Sequence, residues 1–367
     1  MEQSRAIHSA GTSIGTHGGD ILSMAKAMGC EVADLVDMSS NLTPFGMVPG
    51  LKEVIFSRFD EISYLPETGS ETVREIFASR YGLTKDFVLA GNGTTEFIYA
   101  VPAVLGLRRA VIVTPTYADY RLASTWAGME TVDFNLRPED DFEPDLDLLG
   151  KTLTGGELVF FCNPNNPTGR FVASADLHRF VIGHPDSFFL VDESYLPFLS
   201  EPSLLDLPLP DNLFVLSSFS KIYGIPGLRL GFLAATAENM ARLSVRRKPW
   251  GVNRIAQLAG EFLMTRGNHY AEDVRQFVAR TRPAFAAALE EIPGVHVVPG
   301  VVNFILCRLT GSVTADYLRE RMLENRIMIR NCANFAGLDN HYFRLSLKDE
   351  NNNNRCLAVL HTIIGGK

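Results

Sequence analysis

The residues with the plainest chemical potential are a lysine, an aspartate and an arginine, each set among small polar side chains. Lys221 closes the string Ser217-Ser218-Phe219-Ser220-Lys221, and Arg229 follows within Gly227-Leu228-Arg229-Leu230-Gly231. A lysine among hydroxyls and near a guanidinium suits an anion pocket that also holds a nucleophilic amine. Burial near positive charge favours the neutral form that attacks a carbonyl. Asp192 opens Asp192-Glu193-Ser194-Tyr195 directly after an apolar run. A carboxylate in that place is expected to be partly buried and to need a cationic partner. Cys162-Asn163-Pro164-Asn165-Asn166-Pro167-Thr168-Gly169 reads as a rigid turn. Gly91-Asn92-Gly93-Thr94-Thr95-Glu96 opens a helical stretch, where free N–H groups can meet a phosphate. It is not a nucleotide P-loop, because no Gly-Lys-Ser/Thr follows.

These loops need elements to position them. Short apolar runs at Ala110–Thr114, Glu157–Cys162, Ser187–Val191, Leu213–Ser217 and Leu228–Ala234 read as strands. Helical patterns such as Ala118–Ala127 and Ser174–Ile182 fall between them. Apolar strands with helical crossovers imply an α/β domain whose mainly parallel sheet is buried on both faces. In such sheets ligands lie beyond the carboxyl ends of the strands, where the polar loops above begin. The last third predicts long helices at Arg254–Thr265 and Tyr270–Glu290 and strands at Gly294–Val298, Asn303–Arg308, Met328–Arg330 and His341–Leu347. A further helix is expected at Thr314–Asn325, and the whole reads as a smaller α+β domain. The polar run Asp349–Arg355 is expected to be a turn before a final helix at Cys356–Ile364. The expected division is residues 1–43 as an N-terminal arm joining the small domain, 44–253 as the large domain, and 254–367 as the C-terminal small domain.

Composition removes several classes of function. The 367 residues are 46% hydrophobic and 21% charged, which suits a large packed core rather than disorder. A net charge of −8 argues against bulk nucleic-acid binding. No apolar run approaches the ~20 residues that span a bilayer, so no membrane partner is expected. The first residues lack the basic start and apolar middle of a signal peptide. Five scattered cysteines without a Cys-x-x-Cys pair predict neither a disulfide framework nor a zinc or other metal site, and a reducing cytoplasm fits them best.

The order of the motifs is more specific than any one of them. It runs GNGTTE, TPTYADY, NPNNPTG, DESY, SFSK, GLRLG and finally the arginine in YFRLS. Over essentially the whole chain this resembles the pyridoxal-phosphate enzymes of the aspartate-aminotransferase fold type. The resemblance implies pyridoxal 5′-phosphate as cofactor and a homodimer. It makes Lys221 the lysine that links covalently to the cofactor and Asp192 the carboxylate that pairs with the pyridinium nitrogen. Tyr195 and Asn166 become the groups that hydrogen-bond the ring hydroxyl, and Tyr117 the aromatic that stacks on the ring. Thr94, Thr95, Ser218, Ser220 and Arg229 correspond to the phosphate cradle. Arg344 corresponds to the arginine that grips a substrate α-carboxylate, for which a planar fork is suited. The catalytic set so implied is Lys221, Asp192 and Tyr195.

Four more segments narrow the branch: Thr16-His17-Gly18-Gly19-Asp20, Ser39-Ser40-Asn41-Leu42-Thr43-Pro44-Phe45-Gly46, Ile225-Pro226-Gly227-Leu228-Arg229, and the stretch from Arg330 to Leu338. They are similar to the threonine-phosphate decarboxylase family of cobalamin biosynthesis, with the histidinol-phosphate aminotransferases as near relatives. By that resemblance the substrate is a small phosphorylated amino acid. His17 and Gly18 would contact its phosphate, with Arg330 as the main cationic clamp. Asn41 and Asn166 would lie beside the amino-acid portion. The implied reaction is decarboxylation of O-phospho-L-threonine to (R)-1-amino-2-propanol O-2-phosphate. An aminotransferase of the histidinol-phosphate type is the first alternative, and a non-catalytic binding or regulatory protein the second. One departure concerns Tyr64-Leu65-Pro66, where relatives usually have an aromatic residue directly before the proline. In the family that tyrosine reaches the neighbouring subunit's cofactor.

Overall fold

The computed structural model describes residues 18–245 and 248–366. In chain order its first strands are β1 (Val36–Asp37), β2 (Val88–Asn92), β3 (Arg109–Thr114), β4 (Glu130–Asn135) and β5 (Glu157–Cys162). Then come β6 (Phe188–Asp192), β7 (Leu213–Ser218), β8 (Leu230–Ala234), β9 (Val295–Val297) and β10 (Phe304–Leu309). The last are β11 (Ile327–Met328), β12 (Arg330–Asn331) and β13 (Tyr342–Ser346). The chain divides into two compact units. One holds residues 42–279 and 300–302; the other holds the described residues up to 41, with 280–299 and those from 303 onward.

The first unit is built on a seven-stranded sheet of order β2-β8-β7-β6-β5-β3-β4. Strands β7, β6, β5, β3 and β4 are parallel, and β8 runs antiparallel to both β7 and β2. Every residue of β5, β7 and β8 is buried, as a sheet covered on both faces requires. One core cluster joins Leu158 and Phe160 of β5, Leu190 of β6 and Leu216 of β7 to Phe97, Ile98, Val101 and Tyr120 from covering helices. The five expected apolar strands are all present, within two residues at each end. Two strands gave no apolar signal. The edge strand β4, ETVDFN, contains no buried residue, and β2 reads VLAGN, with two of its five residues Gly and Asn.

The unit boundary falls inside the helix Asn268–Glu290, rather than before Arg254. Residues 254–279 go with the sheet because the helix Arg254–Arg266 packs into it. A Cβ on Gly260 would lie 2.9 Å from Leu230 Cδ2 and 3.1 Å from Val73 Cγ1. Gln257 Nε2 donates to the Glu67 carbonyl at 3.0 Å and to Ser70 Oγ at 3.1 Å.

The second unit carries a four-stranded antiparallel sheet, β12-β13-β10-β9, and the parallel pair β1-β11. Here the polar run Asp349–Arg355 departs from expectation: it is the first half of the helix Glu350–Gly365, not a turn. Asp349 caps that helix by accepting from Asn352 N at 2.9 Å. Buried Asn353 donates to the Lys348 carbonyl at 2.7 Å and accepts from Lys348 N at 2.9 Å. Capping and tertiary anchoring outweigh the modest helix propensity of asparagine. All five cysteines are free thiols. Among the described residues no helix is long and apolar enough to cross a membrane.

Candidate active site

Cys162 of β5 lies in register with Asp192 of β6, which in turn pairs with Leu216 of β7. The three polar loops therefore leave the sheet side by side at its carboxyl edge. Asp192 ends β6 and is buried, and neutral donors from Ser194 and Tyr120 hold its carboxylate. Ser194 N–H donates to Oδ1 at 2.9 Å, and the Tyr120 hydroxyl donates to Oδ2 at 2.8 Å. Burial raises its pKa above the ordinary carboxylate value; the Ser194 and Tyr120 hydrogen bonds and the positive charge of Lys221 oppose that rise. The cationic partner expected for Asp192 thus acts as a field from Lys221 beside direct neutral donors. Tyr117 is pushed up by its own burial and by the charges of Asp119 and Asp192, with a contribution from Tyr195. Asp192, Lys221, Tyr117 and Tyr195 therefore share one electrostatic neighbourhood.

The Asn-Pro loop shows a division of labour. Asn163 donates to the Val172 carbonyl and accepts from Val172 N, both at 2.8 Å. Asn165 donates to the Pro115 carbonyl at 2.8 Å and to Thr168 Oγ1 at 2.9 Å, and accepts from Thr116 Oγ1 at 2.8 Å. These two asparagines build the loop. The Cys162 thiol donates to the Pro164 carbonyl at 3.3 Å, and Asn166 is buried in the same loop. Adjacent Glu193 belongs to another environment: it accepts from Ser203 Oγ and, at 2.9 Å, from Leu204 N. Burial pushes its pKa to about 7.

A second group gathers where β8 meets the start of the helix Thr95–Leu105. Gly93 N donates to the Arg229 carbonyl at 3.1 Å. A Cβ on Gly93 would lie 2.4 Å from Arg229 Nη2, and one on Gly231 would lie 2.5 Å from Thr94 N. Only glycine permits both approaches, so the guanidinium and the helix start are brought together by the absence of side chains. Gly231 pairs with Ser218 across β7 and β8, and Ser218 Oγ accepts from Ser220 N at 3.3 Å. Arg229 itself holds φ +59°, a costly conformation for a residue with a Cβ, and donates through Nη1 to the Pro226 carbonyl at 3.3 Å. The N-cap residue Thr94 makes no side-chain capping bond to the first turn of the Thr95–Leu105 helix. A helix start without that capping bond, four hydroxyls (Thr94, Thr95, Ser218, Ser220) and a guanidinium form a cradle of the kind a phosphate ester needs. With a carboxylate at Asp192 for a cationic ring nitrogen and an amine at Lys221, the residues present fit pyridoxal 5′-phosphate.

The second unit assembles the remaining candidates. Arg330 on β12 and Arg344 on β13 are register partners and both are buried. Arg344 Nη2 donates to the Ser39 carbonyl at 2.9 Å, and its guanidinium lies 5.2 Å from the Phe304 ring centre. Arg330 Nη2 donates to Asn334 Oδ1 at 2.7 Å, over the Phe335 ring at 5.2 Å. Burial, with the Arg344 and Arg319 charges, lowers the Arg330 pKa to about 10, which marks a place short of negative charge. Gly18 is packed against the same group: a Cβ there would lie 2.5 Å from the Ser39 carbonyl oxygen and 3.3 Å from Arg330 Cδ. Asn41 is buried, and its carbonyl accepts from Asn303 Nδ2 at 3.2 Å. His17 lies outside the described residues.

Sequence reasoning missed Tyr120. It stands three residues after Tyr117, at the start of the helix Asp119–Trp126, and stacks on Phe160 at 5.1 Å. The second tyrosine of TPTYADY was the available signal, but a buried phenol beside an aromatic strand reads first as core. Asn334, which accepts from Arg330 at 2.7 Å, was named only within the stretch from Arg330 to Leu338, with no role of its own.

Comparison with known proteins identifies the family and the fold. The sequence pattern of the family "Aminotransferase class I and II" matches residues 33–360. Threonine-phosphate decarboxylase of Salmonella typhimurium is 33% identical over 356 residues, covering 95% of this chain and 97% of that protein. The crystal structure of L-threonine-O-3-phosphate decarboxylase from Porphyromonas gingivalis superposes with TM-score 0.82 at 30% identity, covering 90% of this chain and all of that one (100%). Histidinol-phosphate aminotransferase from Clostridium acetobutylicum superposes with TM-score 0.84, but at 24% identity it speaks to the fold alone. The chain is a member of the aminotransferase class I and II family, with the fold of aspartate aminotransferase.

Proposed function

We propose that the protein is a pyridoxal-phosphate-dependent decarboxylase that converts O-phospho-L-threonine to (R)-1-amino-2-propanol O-2-phosphate in cobalamin biosynthesis. The observation that carries the reading is the pair of buried guanidiniums, Arg330 and Arg344, side by side on β12 and β13. Two buried cations in register suit a substrate with two anionic groups, and a phosphorylated amino acid has a carboxylate and a phosphate. The similarity to threonine-phosphate decarboxylases supports the choice of reaction.

The cofactor, when bound, supplies an acceptor for the electron pair left when the bond to carbon dioxide breaks. The chain's own residues do the rest. Asp192 Oδ1 and Oδ2 would hold a proton on the ring nitrogen, fixed in place by Ser194 and Tyr120. Tyr195 and Asn166 would hydrogen-bond the ring hydroxyl, and Tyr117 would cover the ring face. Thr94, Thr95, Ser218, Ser220 and Arg229 would hold the phosphate ester. Lys221 Nζ would carry the covalent link and serve as the group that returns a proton to the α-carbon. Arg344 would hold the substrate carboxylate by its fork, with Arg330, Gly18 and His17 around the substrate phosphate and Asn41 beside the amino-acid portion. Whether the enzyme cleaves the carboxylate bond or the α C–H bond is then a matter of how these anchors orient the substrate.

The protein is taken to work as a cytoplasmic homodimer. Phe56, Phe59, Ile62, Tyr64 and Leu65 are all exposed, and the Phe56 and Phe59 rings lie 6.3 Å apart. Exposed apolar side chains this close in sequence support a partner surface. The test of the reaction is product analysis. Cofactor-loaded protein given O-phospho-L-threonine, without a keto acid, is expected to yield 1-amino-2-propanol O-2-phosphate over many turnovers, and Lys221→Ala to yield none. Turnover that requires a keto acid and leaves the carboxylate in place would move the protein to the aminotransferase branch.

A further inference from the structure

The short segment Asp37–Ser40 links the Arg344 and Arg330 anchors of the second unit, although none of its side chains was assigned a role. Asp37 accepts four hydrogen bonds. Oδ1 takes Ser39 N at 2.9 Å, Ser39 Oγ at 2.6 Å and Ser40 N at 3.2 Å, while Oδ2 takes Ser40 Oγ at 2.7 Å. Four donors on one carboxylate fix the turn that follows it. The segment is also tied into the sheets: Met38 N donates to the Met328 carbonyl, and Ser346 N donates to the Met38 carbonyl, both at 2.9 Å.

Buried Ser39 then reaches in two directions. Its carbonyl accepts from Arg344 Nη2 at 2.9 Å. Its hydroxyl gives its proton to Asp37 and accepts from Gly19 N at 2.9 Å. A hydroxyl that donates to a carboxylate is a better acceptor, so the two bonds strengthen each other. Gly19 is the neighbour of Gly18, which packs on the Ser39 carbonyl and on Arg330 Cδ. Lys348, which follows β13 and is half-buried, adds a positive charge that interacts with Asp37.

We propose that Asp37 and Ser39 are positioning residues for both anionic ends of the substrate. The Ser39 carbonyl sets the Arg344 fork, the Ser39 hydroxyl holds the 18–19 segment over Arg330, and Asp37 holds Ser39. This rests on the functional reading above, in which Arg344 meets the carboxylate while Arg330 and residues 17–18 meet the phosphate. It goes beyond that reading by separating the two ends through one residue: the backbone of Ser39 serves one anchor and its side chain the other.

The test titrates cofactor-loaded protein with two half-substrates and follows the cofactor absorbance. O-phosphoethanolamine has the amine and phosphate but no carboxylate; L-threonine has the amine and carboxylate but no phosphate. Ser39→Ala keeps the carbonyl and removes the hydroxyl. It is expected to weaken O-phosphoethanolamine about tenfold, the effect of one hydrogen bond in a charged network, and to leave L-threonine within about twofold. Ser39→Thr, which keeps a hydroxyl, is expected to restore most of the loss. Asp37→Asn loosens the whole turn and is expected to weaken both ligands. A Ser39→Ala protein that binds O-phosphoethanolamine normally, or that loses both ligands equally, overturns the inference. Failure of the unaltered protein to respond to either half-substrate overturns instead the functional reading beneath it.

Discussion

Tyr120→Phe isolates what holds the Asp192 charge. The substitution deletes one oxygen and keeps the ring that stacks on Phe160 at 5.1 Å. Asp192 Oδ2 loses its 2.8 Å donor, while the Ser194 N–H on Oδ1 remains. A hydrogen bond to a charged group is worth about 1.5–3 kcal/mol, and 1.36 kcal/mol corresponds to one pH unit, so the loss is worth roughly one to two units. The direction follows from the lost bond, which had opposed the upward push of burial. Asp192 must be ionised to hold the ring proton, so a higher pKa costs activity at low pH and little at high pH. The assay is kcat/KM for carbon dioxide release from O-phospho-L-threonine between about pH 5 and about pH 9. The acid limb of the profile is expected to move up by roughly one to two units, with variant and parent converging as pH rises. Superimposable acid limbs, or an equal loss at every pH, would refute the assignment of Tyr120 to the Asp192 charge.

Gly231→Ala would place a Cβ 2.5 Å from Thr94 N and 2.8 Å from the Gly93 carbonyl carbon. Both are backbone atoms that cannot swing aside, so a stability loss of about 1–3 kcal/mol in thermal unfolding and a cofactor Kd raised at least about tenfold in dialysis are expected. Glu193 has its pKa raised to about 7 from the ordinary 4.5, so the folded state binds its proton more tightly than the unfolded state. Its contribution to stability is therefore fully present below about pH 4.5 and is lost as pH rises to about 7, by roughly 3 kcal/mol. Glu193→Gln, with Leu204 N still able to donate to the amide oxygen, is expected to flatten the fall of Tm across that window. A parallel fall in both proteins would show that Glu193 is not the titrating group. Arg344→Lys removes the fork and the 2.9 Å bond to the Ser39 carbonyl. A kcat/KM about 100-fold lower for O-phospho-L-threonine is expected, mostly through KM, because lysine cannot reproduce the bidentate geometry.

The fold was legible where burial is two-sided. ELVFFC and LFVLSS can only be central strands, and both are wholly buried. Strand β4 was not legible because an edge strand can afford Glu, Asp and Asn. The helix through Asn351–Asn354 was hidden because its stability comes from the Asp349 cap and from the bonds of Asn353 to Lys348, none of which propensity registers. The candidate site was legible as far as side-chain type carries chemistry: Lys221, Asp192 and Arg229 stand out in the sequence as candidates. The supporting groups do not. Tyr120 reads as core and Ser39 as loop, and their importance lies in partners 72 and 305 residues away. The glycines at 18, 93 and 231 belong to the same class, since their role is the room they leave for a neighbouring carbonyl, guanidinium or amide.

The central claim is that this site breaks the bond to the carboxylate rather than exchanging the amino group. The most direct measurement is a count of labelled carbon dioxide released per subunit from carboxyl-labelled O-phospho-L-threonine, with no keto acid present, while the cofactor absorbance is followed. The account predicts many equivalents of carbon dioxide per subunit and a cofactor that remains in its aldehyde-derived form. No labelled carbon dioxide, together with conversion of the cofactor to its amine form by histidinol phosphate, would contradict it.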